Sequence, residues 1–142
     1  MKIVITMYIV LELLCSAAFA GSYTDNGNGT ITDNITTLMW QKQDDGTGRT
    51  WEQAISYCES LSLGGYADWR LPNIKELRSI IDLTKYDPAI NSTYFPNTQS
   101  AFYWSSTTFA DYNTSAFNVD FYSGNSSDII NKTLSHAVRC VR

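Results

Sequence analysis

The chain is poor in charge and poorer still in metal-binding side chains. Only 17% of its 142 residues are Asp, Glu, Lys or Arg, and it holds one histidine and three cysteines. One histidine excludes a multi-histidine metal centre, and three cysteines are too few for a zinc ribbon. The ten basic residues are scattered and the net charge is −4, so the basic patch or stripe of a nucleic-acid-binding domain is missing. Beyond the first twenty residues no apolar run is long enough to span a bilayer. What is present is aromatic and polar without being charged: 13% Phe, Trp and Tyr, with many Ser, Thr and Asn. A disordered segment would lack those aromatics. The composition suits one β-rich extracellular domain with a real core.

The start of the chain reads as a secretory leader. Met1-Lys2 precedes a mostly apolar run from Ile3 to Leu14, and Ala18-Phe19-Ala20 stands before Gly21 as an A-x-A cleavage site. Residues 1–20 are therefore expected to be removed, leaving a domain over 21–142 that is periplasmic, extracellular or on the cell surface. Lipidation at Cys15 is not expected, because Glu12, Leu13 and Leu14 precede it. Cys15 leaves with the leader. Cys58 and Cys140 remain, and in an oxidising compartment they most simply form one disulfide. Such a bond closes a loop of roughly 80 residues, for which chain entropy gives about 4 kcal/mol. A reactive thiol pair is the alternative, although only Arg139 and His136 are at hand to lower a thiol pKa.

Along the domain, Asp25-Asn26-Gly27-Asn28-Gly29 is a dense turn signal leading into Thr30-Ile31-Thr32, with Thr37-Leu38-Met39-Trp40 as the partner strand. The run lacks the spacing and closing Glu of a calcium loop. A polar loop, 43–48, follows. Thr50 with Gln53 makes a capping box for a first helix, whose buried face is Trp51, Ala54, Ile55, Cys58 and Leu61. Asn73 with Glu76 caps a second helix with Ile74, Leu77, Ile80 and Ile81 inside. Asp87-Pro88 closes this helical half. Strands are expected over Phe102–Ser106, Ser115–Tyr122 and Ala137–Arg142. In the middle one Phe117, Val119 and Phe121 alternate with Asn118, Asp120 and Tyr122. Strands at both ends with helices between give an α+β fold.

These blocks together resemble the Lcl C-terminal domain family of bacterial exported and surface proteins. The resemblance is carried by Asp25–Asp33, Thr37–Gln41, Trp51–Ala54 with Tyr57-Cys58, Gly65–Leu77, Tyr94–Thr98, Tyr103–Thr107 and Val138–Arg142. It implies a fold similar to that of C-type lectins and of the formylglycine-generating-enzyme core. That means two helices packed on small antiparallel sheets, paired N- and C-terminal strands, and a disulfide from the first helix to the last strand. The Glu-Pro-Asn, Gln-Pro-Asp and Trp-Asn-Asp motifs of calcium-dependent lectins are absent, so no calcium and no other cofactor is expected.

The densest motif, Asp68-Trp69-Arg70, reads as structural: Trp69 buried beside the second helix and Arg70 paired with a carboxylate. Trp40, Trp51 and Trp104 are also expected in the core, and His136 has no partner that would give it a role. The stretch 108–136 is different. It is rich in Tyr, Asn, Ser and Gly, the composition of adaptable binding loops. Tyr112, Asn113, Tyr122, Asn125 and Asp128 are the expected ligand-binding residues. The function this suggests is non-enzymatic recognition or adhesion, with a glycan or protein partner and oligomerisation open. The alternatives are a formylglycine-generating kind of enzyme and a structural envelope module. Acidity argues against polyanion binding.

Overall fold

The computed structural model describes residues 22–142, apart from the side chains of 126–128. The expected leader lies outside the described residues. The fold is α+β, as expected. Strands β1 (Tyr23–Asp25), β2 (Thr30–Asp33) and β3 (Met39–Gln41) form one antiparallel sheet in the order β1-β2-β3. Helices α1 (Trp51–Ser60) and α2 (Ile74–Ser79) follow. Strands β4 (Phe102–Thr108), β5 (Ser115–Asp120) and β6 (Asn125–Asn131) form a second antiparallel sheet in the order β4-β5-β6.

Both capping boxes form. The Thr50 hydroxyl accepts from the Gln53 N–H while the Gln53 amide oxygen accepts from the Thr50 N–H. Asn73 and Glu76 do the same for α2, and this reciprocity satisfies two otherwise orphaned donors per helix. Helix α1 buries Ala54 and Cys58 against Trp69, Leu71, Trp104, Ala116 and Val138. Helix α2 buries Leu77 in a second cluster with Ile31, Trp40, Ile80, Phe95, Tyr103, Val119 and Phe121. Trp40, Trp69 and Trp104 are core residues; Trp51 is half-buried, its indole N–H donating to the Ser105 carbonyl. Trp69 packs in the α1 cluster rather than beside α2, because the loop after α1 folds back and its carbonyls at Leu63 and Tyr66 accept the Trp69 indole N–H. Arg70 pairs with a carboxylate as expected, gripping Glu76 through both terminal nitrogens at 2.7 and 2.8 Å.

The segment expected as a last strand, Ala137–Arg142, is a series of single bridges. Its pairing partner changes at almost every step. Ala137 lies parallel to Tyr103, while Val141 is antiparallel to both Trp40 and Arg70. Main-chain bonds run from Ala137 N–H to the Phe102 carbonyl, between Met39 and Arg142 in both directions, and from Gln41 N–H to the Cys140 carbonyl. The C-terminal segment thus joins the two sheets, and the ends of the domain pair through β3. Cys140 is bonded to Cys58 of α1, with Cα atoms 5.5 Å apart across 82 residues of sequence.

Beside the disulfide lies a buried ion pair. Arg139 is fully buried and its Nη2 donates to Asp44 Oδ2 at 3.1 Å and to the Thr98 hydroxyl at 2.8 Å. Its Nη1 donates to the carbonyls of Gln41 and Lys42, each at 2.7 Å. The Tyr103 hydroxyl donates to the same Asp44 oxygen at 2.6 Å. Burial pushes the Arg139 pKa down from its ordinary value, with Tyr103 and Asp44 opposing the shift; a guanidinium in such a setting stays charged.

Replacing Cys58 or Cys140 by Ser is expected to cost about 2–5 kcal/mol of stability, read by urea unfolding, and the unreduced wild-type domain is expected to show no free thiol at these positions. Arg139→Met leaves Asp44 buried without its cation and is expected to cost about 3–5 kcal/mol; a change below 1 kcal/mol in the same titration, about the value of an exposed pair, would show the pair to be energetically idle.

Candidate binding surface

The side chains of β4 and β5 pack into core clusters on both faces, which leaves mainly the turns and parts of β6 to meet a ligand. The β5–β6 turn is built by Asp120. Its Oδ1 accepts from the Tyr122 N–H at 2.9 Å and its Oδ2 from the Ser123 hydroxyl at 2.9 Å, and its carbonyl accepts from the Gly124 N–H. Gly124 has φ +78°, and a Cβ there would stand 2.9 Å from Ile81 and 3.0 Å from Leu83. Only glycine combines that backbone with that approach.

The segment after α2 closes onto this turn. Asp82 accepts from the Thr84 N–H and hydroxyl, and its own N–H donates to the Ala89 carbonyl. Asp87 and Ala89 then donate their N–H groups to the Tyr122 and Phe121 carbonyls at 2.8 and 2.7 Å. The result is an apolar surface held by backbone bonds. Leu83 is 80% exposed, Tyr86 75% and Tyr122 51%, and the two tyrosine rings meet edge to face at 6.5 Å. A cavity of about 190 Å³ lined by Arg78, Ile81, Leu83 and Gly124 opens beside them. Arg78 and Lys85 make no ion pair among the described residues. The surface can therefore offer ring faces, aliphatic area and cationic donors.

The expected binding residues divide into groups. Tyr122 and Asn125, both exposed, lie at the β5–β6 end. Tyr112, 67% exposed, and Asn113 lie in the β4–β5 turn, where Tyr112 stacks on Phe109 at 6.0 Å and Phe109 meets Phe117 edge-on. The six residues of β5 separate these ends by about 20 Å. Asp128 is mid-strand in β6, opposite Asn118. Within 108–136, β5 falls where a strand is expected, and β6 takes a part read as loop. Asn125–Asn131 has no alternating pattern, and its strand state comes from pairing with β5. Asn118, expected on a solvated face, is fully buried, and neither amide atom has a partner among the described residues. Leu83 and Tyr86 escaped the sequence reading. Their only signal was large apolar side chains inside a turn-rich segment next to Asp87-Pro88.

His136 is half-buried between aromatics, edge-on to Trp104 at 4.9 Å and to Phe102 at 5.7 Å. Its Nε2 has no partner among the described residues, and burial pushes the imidazole pKa down. Among the described residues no three His, Cys, Asp or Glu side chains are grouped to hold a metal ion.

Two small antiparallel sheets, two capped helices and a disulfide-anchored C-terminal segment define an α+β domain whose most exposed aromatics, Tyr86, Tyr112 and Tyr122, lie at the ends of the second sheet. The model of the Lcl C-terminal domain matches residues 29–142, and the chain belongs to that family. No curated protein matches the chain.

The histidine gives a pH prediction. Its folded pKa lies below the unfolded value near 6.5, so the unfolded chain takes up the proton first. Stability is complete above that value and is lost as pH falls through it. Urea midpoints measured from neutral to mildly acidic pH are expected to decline for the wild type and to stay flat for His136→Gln; parallel slopes would assign the loss to other groups.

Proposed function

We propose that this domain is an exported, non-enzymatic recognition module. It binds an extracellular glycan or protein partner through the surface of Leu83, Tyr86 and Tyr122, with Asn125 opening β6 at its side. The observation that carries the reading is the convergence of three large apolar side chains, each more than half exposed, on a turn braced by backbone hydrogen bonds. Exposed apolar groups clustered in this way mark interaction sites, and loops held on a rigid scaffold are where binding groups collect. Tyrosine supplies contact area at low entropic cost because only two torsions must be fixed. Tyr112 and Asn113 at the far end form a second, smaller contact, and Asp128 lies on the strand between.

Export is supported by the Cys58–Cys140 bond, which belongs to an oxidising compartment. The same bond weakens the enzyme alternative, since it uses both cysteines of residues 21–142. The scaffold is of the C-type-lectin-like kind that the family resemblance implies.

The test is a glycan and protein array probed with residues 21–142, followed by titration of the best partner. Tyr86→Ala and Tyr122→Ala together are expected to weaken that partner by roughly 1–3 kcal/mol while leaving the thermal midpoint nearly unchanged. Tyr112→Ala reports on the other end of the sheet. Unaltered binding in the double variant, with the loss appearing in Tyr112→Ala, would move the site to the β4–β5 turn; a large stability loss with unaltered binding would make these tyrosines packing residues.

A further inference from the structure

The turn signal Asp25-Asn26-Gly27-Asn28-Gly29 plays no part in the surface above, yet it walls a cavity of its own. A groove of about 390 Å³ lies between this turn, the end of β3 and the segment after α1, lined by Asp25, Gly27, Gly29, Gln41, Lys42, Gln43 and Leu63. The volume falls at the small end of the range for small-molecule sites, roughly 300–1,000 Å³.

The walls are rigid because their own groups are already bonded. Asn26 donates to the Thr30 and Thr32 hydroxyls, and the Asn28 amide oxygen accepts from the Thr30 N–H and hydroxyl. The Lys42 N–H donates to the Gly29 carbonyl. Gln41 is fixed at both ends of its amide, donating to the Tyr57 hydroxyl and accepting from the Cys140 N–H. Gly29, at φ +86°, lets Leu63 press to 3.0 Å from where a Cβ would stand, so an apolar floor comes up against a bare backbone. Gly27 faces open space.

Hydrogen-bonding capacity is left over at the rim. Lys42 Nζ sits 2.6 Å from Asp25 Oδ2, and Asp25 Oδ1 accepts from the Gly27 N–H at 3.0 Å. Each partner is only partly covered. The ammonium keeps donors to spare and the carboxylate keeps lone pairs. Gln43 is exposed and its amide makes no hydrogen bond among the described residues. Donors and acceptors therefore stand side by side with their charges cancelled. An anion would meet Asp25 and a cation would meet Lys42. A hydroxyl both donates and accepts, and a pair of neighbouring hydroxyls can use both groups at once, while the C–H face of a ring rests on Leu63. We propose that this groove is a subsite for one neutral sugar unit, bound through a vicinal hydroxyl pair bridging Asp25 and Lys42, with no metal ion involved. The hydrogen bond from the Lys42 ammonium holds the Asp25 carboxyl below its ordinary range, which favours its charged form.

The experiment titrates residues 21–142 with methyl α-mannoside, methyl β-galactoside and methyl α-glucoside in the presence of EDTA. It follows the backbone amide signals of Gly27 and Gly29 and the side-chain amide of Gln43 by NMR. At least one glycoside is expected to shift these signals with a dissociation constant on the order of 1–10 mM, and Lys42→Met or Gln43→Ala to weaken it roughly tenfold with the rest of the spectrum unchanged. Tyr86→Ala/Tyr122→Ala is expected to bind the glycoside normally, so failure of that surface and failure of this groove are read separately. No shift at the groove with any of the three, shifts confined to the Tyr122–Gly124 turn, loss of binding in EDTA, or wild-type affinity in both groove variants would each overturn the assignment.

Discussion

The fully buried charge of Arg139 constrains nearly everything around it. A guanidinium without solvent is tolerable only if its donors are met. Here the four N–H groups of Nη1 and Nη2 are met by groups from separate parts of the chain: two carbonyls at the end of β3, the Asp44 carboxylate in the following loop, and the Thr98 hydroxyl ahead of β4, while Nε has no partner among the described residues. Tyr103 of β4 adds its hydroxyl to the same carboxylate, and burial raises that phenol's pKa well above its usual value. None of these segments can drift without leaving a charge or a polar atom unpaired. The residues on either side extend the effect. Cys140 carries the covalent link to α1, and Val141 bonds the edges of both β3 and Arg70. Three consecutive residues therefore fasten the two sheets and the first helix to one another.

This arrangement determines where ligands can reach. The face of the second sheet towards α1 is filled by Trp104 and Ala116, and the face towards α2 by Tyr103 and Val119. Even Asn118 is sealed inside. Exposed apolar groups are left at the two turns and on β6, where Ile129 is 43% exposed. The β5–β6 turn becomes a surface because the Leu83–Ala89 segment docks on it through main-chain bonds, a contact that places Tyr86 against Tyr122. The N-terminal turn is shaped by the same economy of side chains. Its glycines and self-bonded asparagines leave a groove instead of a packed face.

Local signals carried much of this in plain view. The two capping boxes, the amphipathic face of α1 with Cys58 on it and the Asn-Gly turns are short-range patterns, and short-range physics decides them. The pairing of Cys58 with Cys140 also followed from counting, once Cys15 was assigned to a leader. The resemblance to the Lcl C-terminal domain family rested on such local blocks, and the family match over 29–142 bears it out.

Tertiary contacts decided the rest. Arg139 looks like an ordinary basic residue until four acceptors from distant segments surround it, since nothing within a few positions of it satisfies a guanidinium. Residues 125–131 become a strand because β5 offers an unpaired edge, not because of their own pattern. Tyr112 and Tyr122 are ten positions apart in a Tyr- and Asn-rich stretch, yet a strand of period two carries them to opposite ends of the sheet. Tyr86, thirty-six positions before Tyr122, is brought within ring contact instead. Sequence by itself fixed which segments would be helix, turn or core, because those states depend on neighbours three or four residues away. Which exposed side chains share a surface depends on strand pairing and loop docking between remote segments, and only the folded chain settles that.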